Sequence, residues 1–137
     1  MNRSQISPFR FAFVRAALTA GGVFYTLTGL LLIFAPVWFY DTIGTFPPYN
    51  RHYAGDTGTF VLAIGVMLLV AARQPAQQRG VILLAVIASW LHGVNHLYDD
   101  FITQAGLVSP VLSSLPLLIF AGVLTIAYVW VSPAQQG

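Results

Sequence analysis

The sequence predicts an all-α integral membrane four-helix bundle, a single transmembrane domain over residues 1–137 with both termini cytoplasmic. Three observations carry this. Of 137 residues, 57% are hydrophobic and 7% charged, and the mean hydropathy is +0.75, far from the balance of a water-soluble domain. Four apolar stretches, about 14–38, 53–72, 80–99 and 107–131, each approach the roughly 20 residues that a helix needs to cross hydrocarbon. Arginines also segregate: Arg3, Arg10 and Arg15 precede or enter the first stretch, and Arg73 and Arg79 bracket the turn between the second and third. An excess of arginine marks the cytoplasmic side. A multi-pass membrane protein is the expectation.

The first stretch is longer than the apolar core of a signal peptide and is followed by no small-residue cleavage site, so it reads as a retained span, with Pro36 near its outer end. Phe46-Pro47-Pro48-Tyr49-Asn50 cannot continue a helix and forms the outer link. The second span closes at Arg73. Gln74-Pro75 and Arg79-Gly80 frame a tight turn into the third. The fourth holds Pro116 in its body, which predicts a kink unless proline is simply tolerated there, as it often is in membrane helices. Asp41, Arg51, Asp99 and Asp100 fall on the outer side with Trp38, Phe39, Tyr40, Tyr49, Tyr53 and Tyr98 as an interfacial aromatic belt. Gly65-Val66 to Pro75-Ala76-Gln77-Gln78 faintly echoes Gly122-Val123 to Pro133-Ala134-Gln135-Gln136, one residue out of register. A duplicated hairpin and a chance match both account for it.

Several function classes drop out on composition. Cysteine, lysine and glutamate are absent, which removes disulfides, thiolate metal sites and cysteine nucleophiles, and disfavours a di-iron centre built from Glu-x-x-His pairs. The net charge of +2 follows from the inner-side arginines, so no nucleic-acid partner is implied. Gly21-Gly22, Gly29, Gly58, Gly65, Gly93 and Gly122 supply small surfaces for close helix approach.

The polar residues inside the spans carry the functional reading. His52 and Asp56 open the second span, and His92 and His96 close the third. Residues four apart share a helix face, and antiparallel neighbours would bring both pairs to one membrane side. Along the third span Ala85, Ser89, His92, His96 and Asp99 form one stripe; along the second, His52, Asp56, Thr59 and Ala63 form another. At 1.5 Å per residue Asp56 lies about 7 Å below Arg51, and His92 about 10 Å below Asp99, which makes the depths comparable. Ionised side chains in lipid are costly and normally face the bundle interior with a partner.

Three partners suit such a cluster. Two imidazoles at i and i+4 can reach one cation, with Asp56 and His52 completing the set, so His52, Asp56, His92 and His96 are the candidate ligands of a divalent metal, zinc favoured. A metal-bound water would then supply a nucleophile, with Asn95 or Asp99 in support, which is the form a metal-dependent membrane enzyme would take. A purely structural hydrogen-bond cluster, and a small polar ligand or proton site, are the alternatives. Haem is disfavoured, because His92 and His96 on one helix cannot both be axial ligands and His52 sits near the surface. Arg51 is expected to pair with Asp99 or Asp100 at the rim, or to attract an anion. Tyr25 and Thr28, Ser109 and Ser113 are candidates for a polar-lined pocket, with Trp90 as its wall or as lipid-facing bulk, and Arg15 is expected to reach the inner headgroups.

Asn50-Arg51-His52-Tyr53-Ala54-Gly55-Asp56-Thr57-Gly58, leading into an apolar stretch that ends Ala71-Ala72-Arg73, resembles small bacterial four-span proteins of the DoxX-like and related families. The resemblance covers this segment and the topology. It implies a multi-pass inner-membrane protein and, since some DoxX relatives are similar to subunits of quinone-linked oxidoreductases, an accessory subunit of a membrane redox complex. It carries over no catalytic residue, and His92-x-x-Asn95-His96 stands on its own. Lipid is the expected partner, with a small polar or lipid ligand, a homodimer or a membrane complex beyond it.

Overall fold

A computed structural model describes residues 7–45, 47–102 and 108–131, the stretch 108–113 by its backbone alone. Among the described residues five helices follow in order: α1 (Pro8–Phe34), α2 (Pro36–Thr42), α3 (Arg51–Arg73), α4 (Arg79–Ile102) and α5 (Val108–Trp130). Pro8–Phe34, Arg51–Arg73 and Arg79–Ile102 are each long and apolar enough to cross a membrane, and Ser114–Trp130 is a shorter apolar helix. Arg3, the Ser109 and Ser113 side chains and the Pro133–Gln136 part of the sequence echo lie outside the described residues.

Local chemistry sets the helix ends. Ser7 caps α1 by accepting from the Arg10 amide at 3.3 Å, with Pro8 in the first turn where its missing N–H is harmless. The expected first span of 14–38 is corrected here: α1 begins at Pro8 and stops at Phe34, and Pro36 starts a separate short helix. A proline has no N–H to donate and pushes the residue before it out of the helical region, and Ala35 accordingly turns at φ −132°, ψ 49°. Asn50 caps α3, its side-chain oxygen accepting from the His52 and Tyr53 amides at 2.9 and 3.2 Å. α5 runs continuously through Pro116.

Packing divides the helices into two close pairs, α1 with α3 and α4 with α5. The first pair is antiparallel along a glycine seam. A Cβ placed on Gly22 would meet Leu69, on Gly29 the backbone of Leu62, on Gly65 the backbone of Thr26, and on Gly58 the side chains of Leu32 and Ile33. Such contacts let two backbones approach more closely than any larger residue allows. In the second pair Gly93 faces Leu117 and Leu118.

The two pairs share one core. Leu18, Leu68, Ile82 and Leu124, one from each long helix, are fully buried, with Ala71, Ala85 and Ala127 between them. All belong to the end that carries Arg10, Arg15, Arg73 and Arg79, hereafter the arginine end. Phe13 and Trp130 pack edge to face at 4.9 Å to close it. Outward faces hold Phe24, Leu27, Phe34, Phe60, Leu84 and Leu91, all exposed, the surface a spanning helix presents to acyl chains.

Candidate functional site

The opposite, aspartate end holds the polar groups that the sequence singles out. His52 and Asp56 lie one turn apart on α3 with Nε2 3.4 Å from Oδ2, their side chains 79% and 59% exposed. The Asp56 carbonyl also accepts from the Thr59 hydroxyl at 2.7 Å. On α4 the His92 and His96 rings stand nearly perpendicular with centroids 4.6 Å apart. His92 is exposed and His96 half-buried. Each pair therefore faces one way, as residues four apart on a helix must.

The two pairs do not merge. Among the described residues, no group of three or more His, Cys, Asp or Glu side chains is gathered to hold a metal ion. The physical reason is the choice of neighbours: α3 lies chiefly against α1 and α4 against α5, whereas convergence requires the two histidine-bearing helices to be close partners along their outer halves.

The flanking candidates are each engaged. Arg51 donates from Nη2 to the Ile33 carbonyl at 3.3 Å, next to the C-terminus of α1, where unsatisfied carbonyls favour a cation; this contact replaces the expected rim pair with Asp99 or Asp100. Asn95 donates to Asp99 Oδ2 at 3.0 Å along α4. Asp100 is buried and accepts from the Ser114 hydroxyl of α5 at 3.1 Å. Trp90 donates its indole N–H to Thr125 Oγ1 at 3.0 Å, while Thr125 itself donates to the Ala121 carbonyl at 2.8 Å.

Tyr25 is buried and meets Ser89 at 2.7 Å, and Ser89 Oγ lies 2.7 Å from the Ala85 carbonyl. A serine hydroxyl has one proton. With that proton on Ala85, Tyr25 is the donor and Ser89 the acceptor, and the bond ties α1 to α4 near the top of the shared core. Sequence reasoning placed Ser89 on the α4 stripe without a role, and it passed over Ser114 and Thr125, which carry no periodic signal in so apolar a helix. The asymmetry gives a prediction. Ser89→Ala strands a buried phenol and is expected to cost about 1–3 kcal/mol. Tyr25→Phe leaves Ser89 satisfied and is expected to cost less, and the double variant should show a coupling of about 0.6 kcal/mol or more. Unfolding in mixed micelles by SDS titration measures all three; equal single losses with no coupling would refute the assignment.

No protein-family model, curated protein or solved structure matches the chain.

Proposed function

We propose that this chain is a bacterial inner-membrane bundle of four spans with both termini cytoplasmic, and that it binds a divalent metal ion, zinc favoured, or a small polar ligand at its periplasmic end through His92 and His96. The orientation rests on the arginine end, which carries no Asp or Glu side chain. α5 is the fourth span in this reading: its described apolar part, Ser114–Trp130, continues a helix that begins at Val108.

The observation that carries the reading is the His92–His96 rung, two imidazoles 4.6 Å apart with one exposed. Such a pair provides two of the four positions of a tetrahedral ion and leaves the others to water or to a ligand. His52 and Asp56 form a separate polar pair on α3. Binding, not catalysis, is the function that two ligands on one helix support.

Elemental analysis after equilibrium dialysis of the detergent-purified protein against zinc tests this. About one ion per chain is expected in the wild type, and none in His92→Ala plus His96→Ala while helicity and monodispersity persist. A wild type that retains no zinc would overturn the metal form.

A second reading, an accessory subunit of a membrane redox complex in the manner of DoxX-like proteins with its polar groups purely structural, draws support from the helix-bridging bonds Tyr25–Ser89, Trp90–Thr125 and Asp100–Ser114. In that case a partner or lipid co-purifies and the histidines tolerate exchange for asparagine.

A further inference from the structure

We infer that the arginine end binds one anionic phospholipid, its headgroup held beside Arg73 and an acyl chain laid along α1. A cavity of about 230 Å³ opens there, walled by Phe11 and Val14 of α1, by Arg73 and Gln74 at the end of α3, and by Trp130 and Val131. That is below the roughly 300 Å³ at which sites for drug-sized ligands begin. It admits a headgroup and leaves the tails outside. Phe11 also borders a shallow open groove along α1 whose floor is Ala12, Ala16, Thr19 and Ala20. Small exposed residues on a spanning helix leave room there for a chain lying against the backbone.

Charge selects the occupant. Arg10 sits 5.4 Å from the Trp130 ring centroid and Arg15 5.7 Å from that of Phe11. Arg79 stacks on Tyr128 at 4.4 Å and donates to the Tyr128 carbonyl at 3.2 Å. Arg73 is exposed in the cavity wall. The four aspartates lie elsewhere: Asp41 in α2, Asp56 in the second turn of α3, Asp99 and Asp100 near the end of α4. Four guanidiniums without an Asp or Glu side chain among them attract a phosphate diester, which an arginine fork can hold through two hydrogen bonds. Trp130 at the same level is the residue type that prefers the headgroup region. A second copy of this chain is a poorer occupant, because a two-fold contact through this face would set Arg15 and Arg73 against their own counterparts.

The test is native mass spectrometry of delipidated protein in a nonionic detergent, titrated with dioleoyl phosphatidylglycerol, dioleoyl phosphatidylcholine or inorganic phosphate. One phosphatidylglycerol per chain is expected, with half-saturation well below that of phosphatidylcholine and no competition from phosphate at matching concentration. Arg73→Gln should weaken retention about fivefold and Arg15→Gln with Arg73→Gln about 25-fold, following roughly 1 kcal/mol per basic residue at an anionic surface. Ala16→Leu, which fills the groove floor, should weaken both lipids alike. Both arginines are exposed, so elution volume and helicity should not change in their variants. Equal retention of the two lipids, an unaffected Arg73→Gln, phosphate competing on equal terms, or a second chain retained in place of lipid would each overturn the proposal.

Discussion

Gly65→Ala and Gly29→Ala are expected to be the most damaging single-methyl changes in the protein, each costing about 3 kcal/mol or more, at or above the upper end of what overpacking a closed core costs. The reason is what the methyl would strike. At Gly29 the new atom would lie 2.6 Å from the Leu62 amide nitrogen and 2.7 Å from its Cα; at Gly65 it would meet the Thr26 amide nitrogen, with the Tyr25 carbonyl carbon at 2.8 Å. Backbone cannot turn aside as a side chain can, so α1 and α3 must separate along the seam. In lipid that separation is not resisted by a hydrophobic force between the helices, because acyl chains are as apolar as leucine, and the pair depends on close van der Waals contact.

The same atoms predict a graded series. Gly22→Ala meets Leu69, both its side chain at 2.7 Å and its amide nitrogen at 2.9 Å, and should follow next. Gly93→Ala meets the far end of Leu118 at 2.8 Å, which can rotate away, so its cost should be small. Gly80 and Gly122 have nothing within 4 Å of an added Cβ, and alanine there should be neutral or stabilising by up to about 1 kcal/mol through helix propensity. Thermal unfolding in dodecyl maltoside resolves the order. Gly29→Ala and Gly65→Ala melting together with Gly122→Ala would show that α1 and α3 are not in contact as described.

Those glycines mark the boundary of what the sequence makes legible. Composition and the length of the apolar runs are enough for long apolar helices, because a helix satisfies its own backbone and needs no partner to be recognised. Within a helix the spacing also suffices: His52 meets Asp56 and His92 meets His96 because residues four apart share a face whatever surrounds them. Between helices it does not. Six glycine sites read as packing surfaces, but a small residue says only that something approaches closely, not which helix, and the assignment of α3 to α1 rather than α4 separates the two polar pairs. The Tyr25–Ser89 and Trp90–Thr125 bonds are invisible for the same reason. The end of α1 is a different case. Pro36 announces a break, but placing it inside a continuous span to residue 38 overlooks the restriction that proline imposes on Ala35.

Leu18→Ala and Leu68→Ala should each cost about 2–5 kcal/mol, the range for leucine truncation in a closed core, whereas Leu91→Ala should change stability by no more than about 0.5 kcal/mol. All three remove the same atoms. Leu18 and Leu68 are fully buried where four helices meet, and Leu91 is 66% exposed on the outward face of α4. The void that the lost isopropyl group leaves on a lipid-facing surface is filled by an acyl or detergent chain, which restores the lost dispersion contacts. A void at the junction is closed off by Ala71, Ala85 and Ala127 and stays empty, so the lost contacts are not recovered. Leu27, 56% exposed on α1 beyond the shared core, should behave as Leu91 does. SDS-titrated unfolding of the four alanine variants in mixed micelles reads the difference directly. Similar losses at Leu18 and Leu27 would mean that the helices are held evenly along their length, and that the junction at the arginine end does not anchor the two pairs to each other.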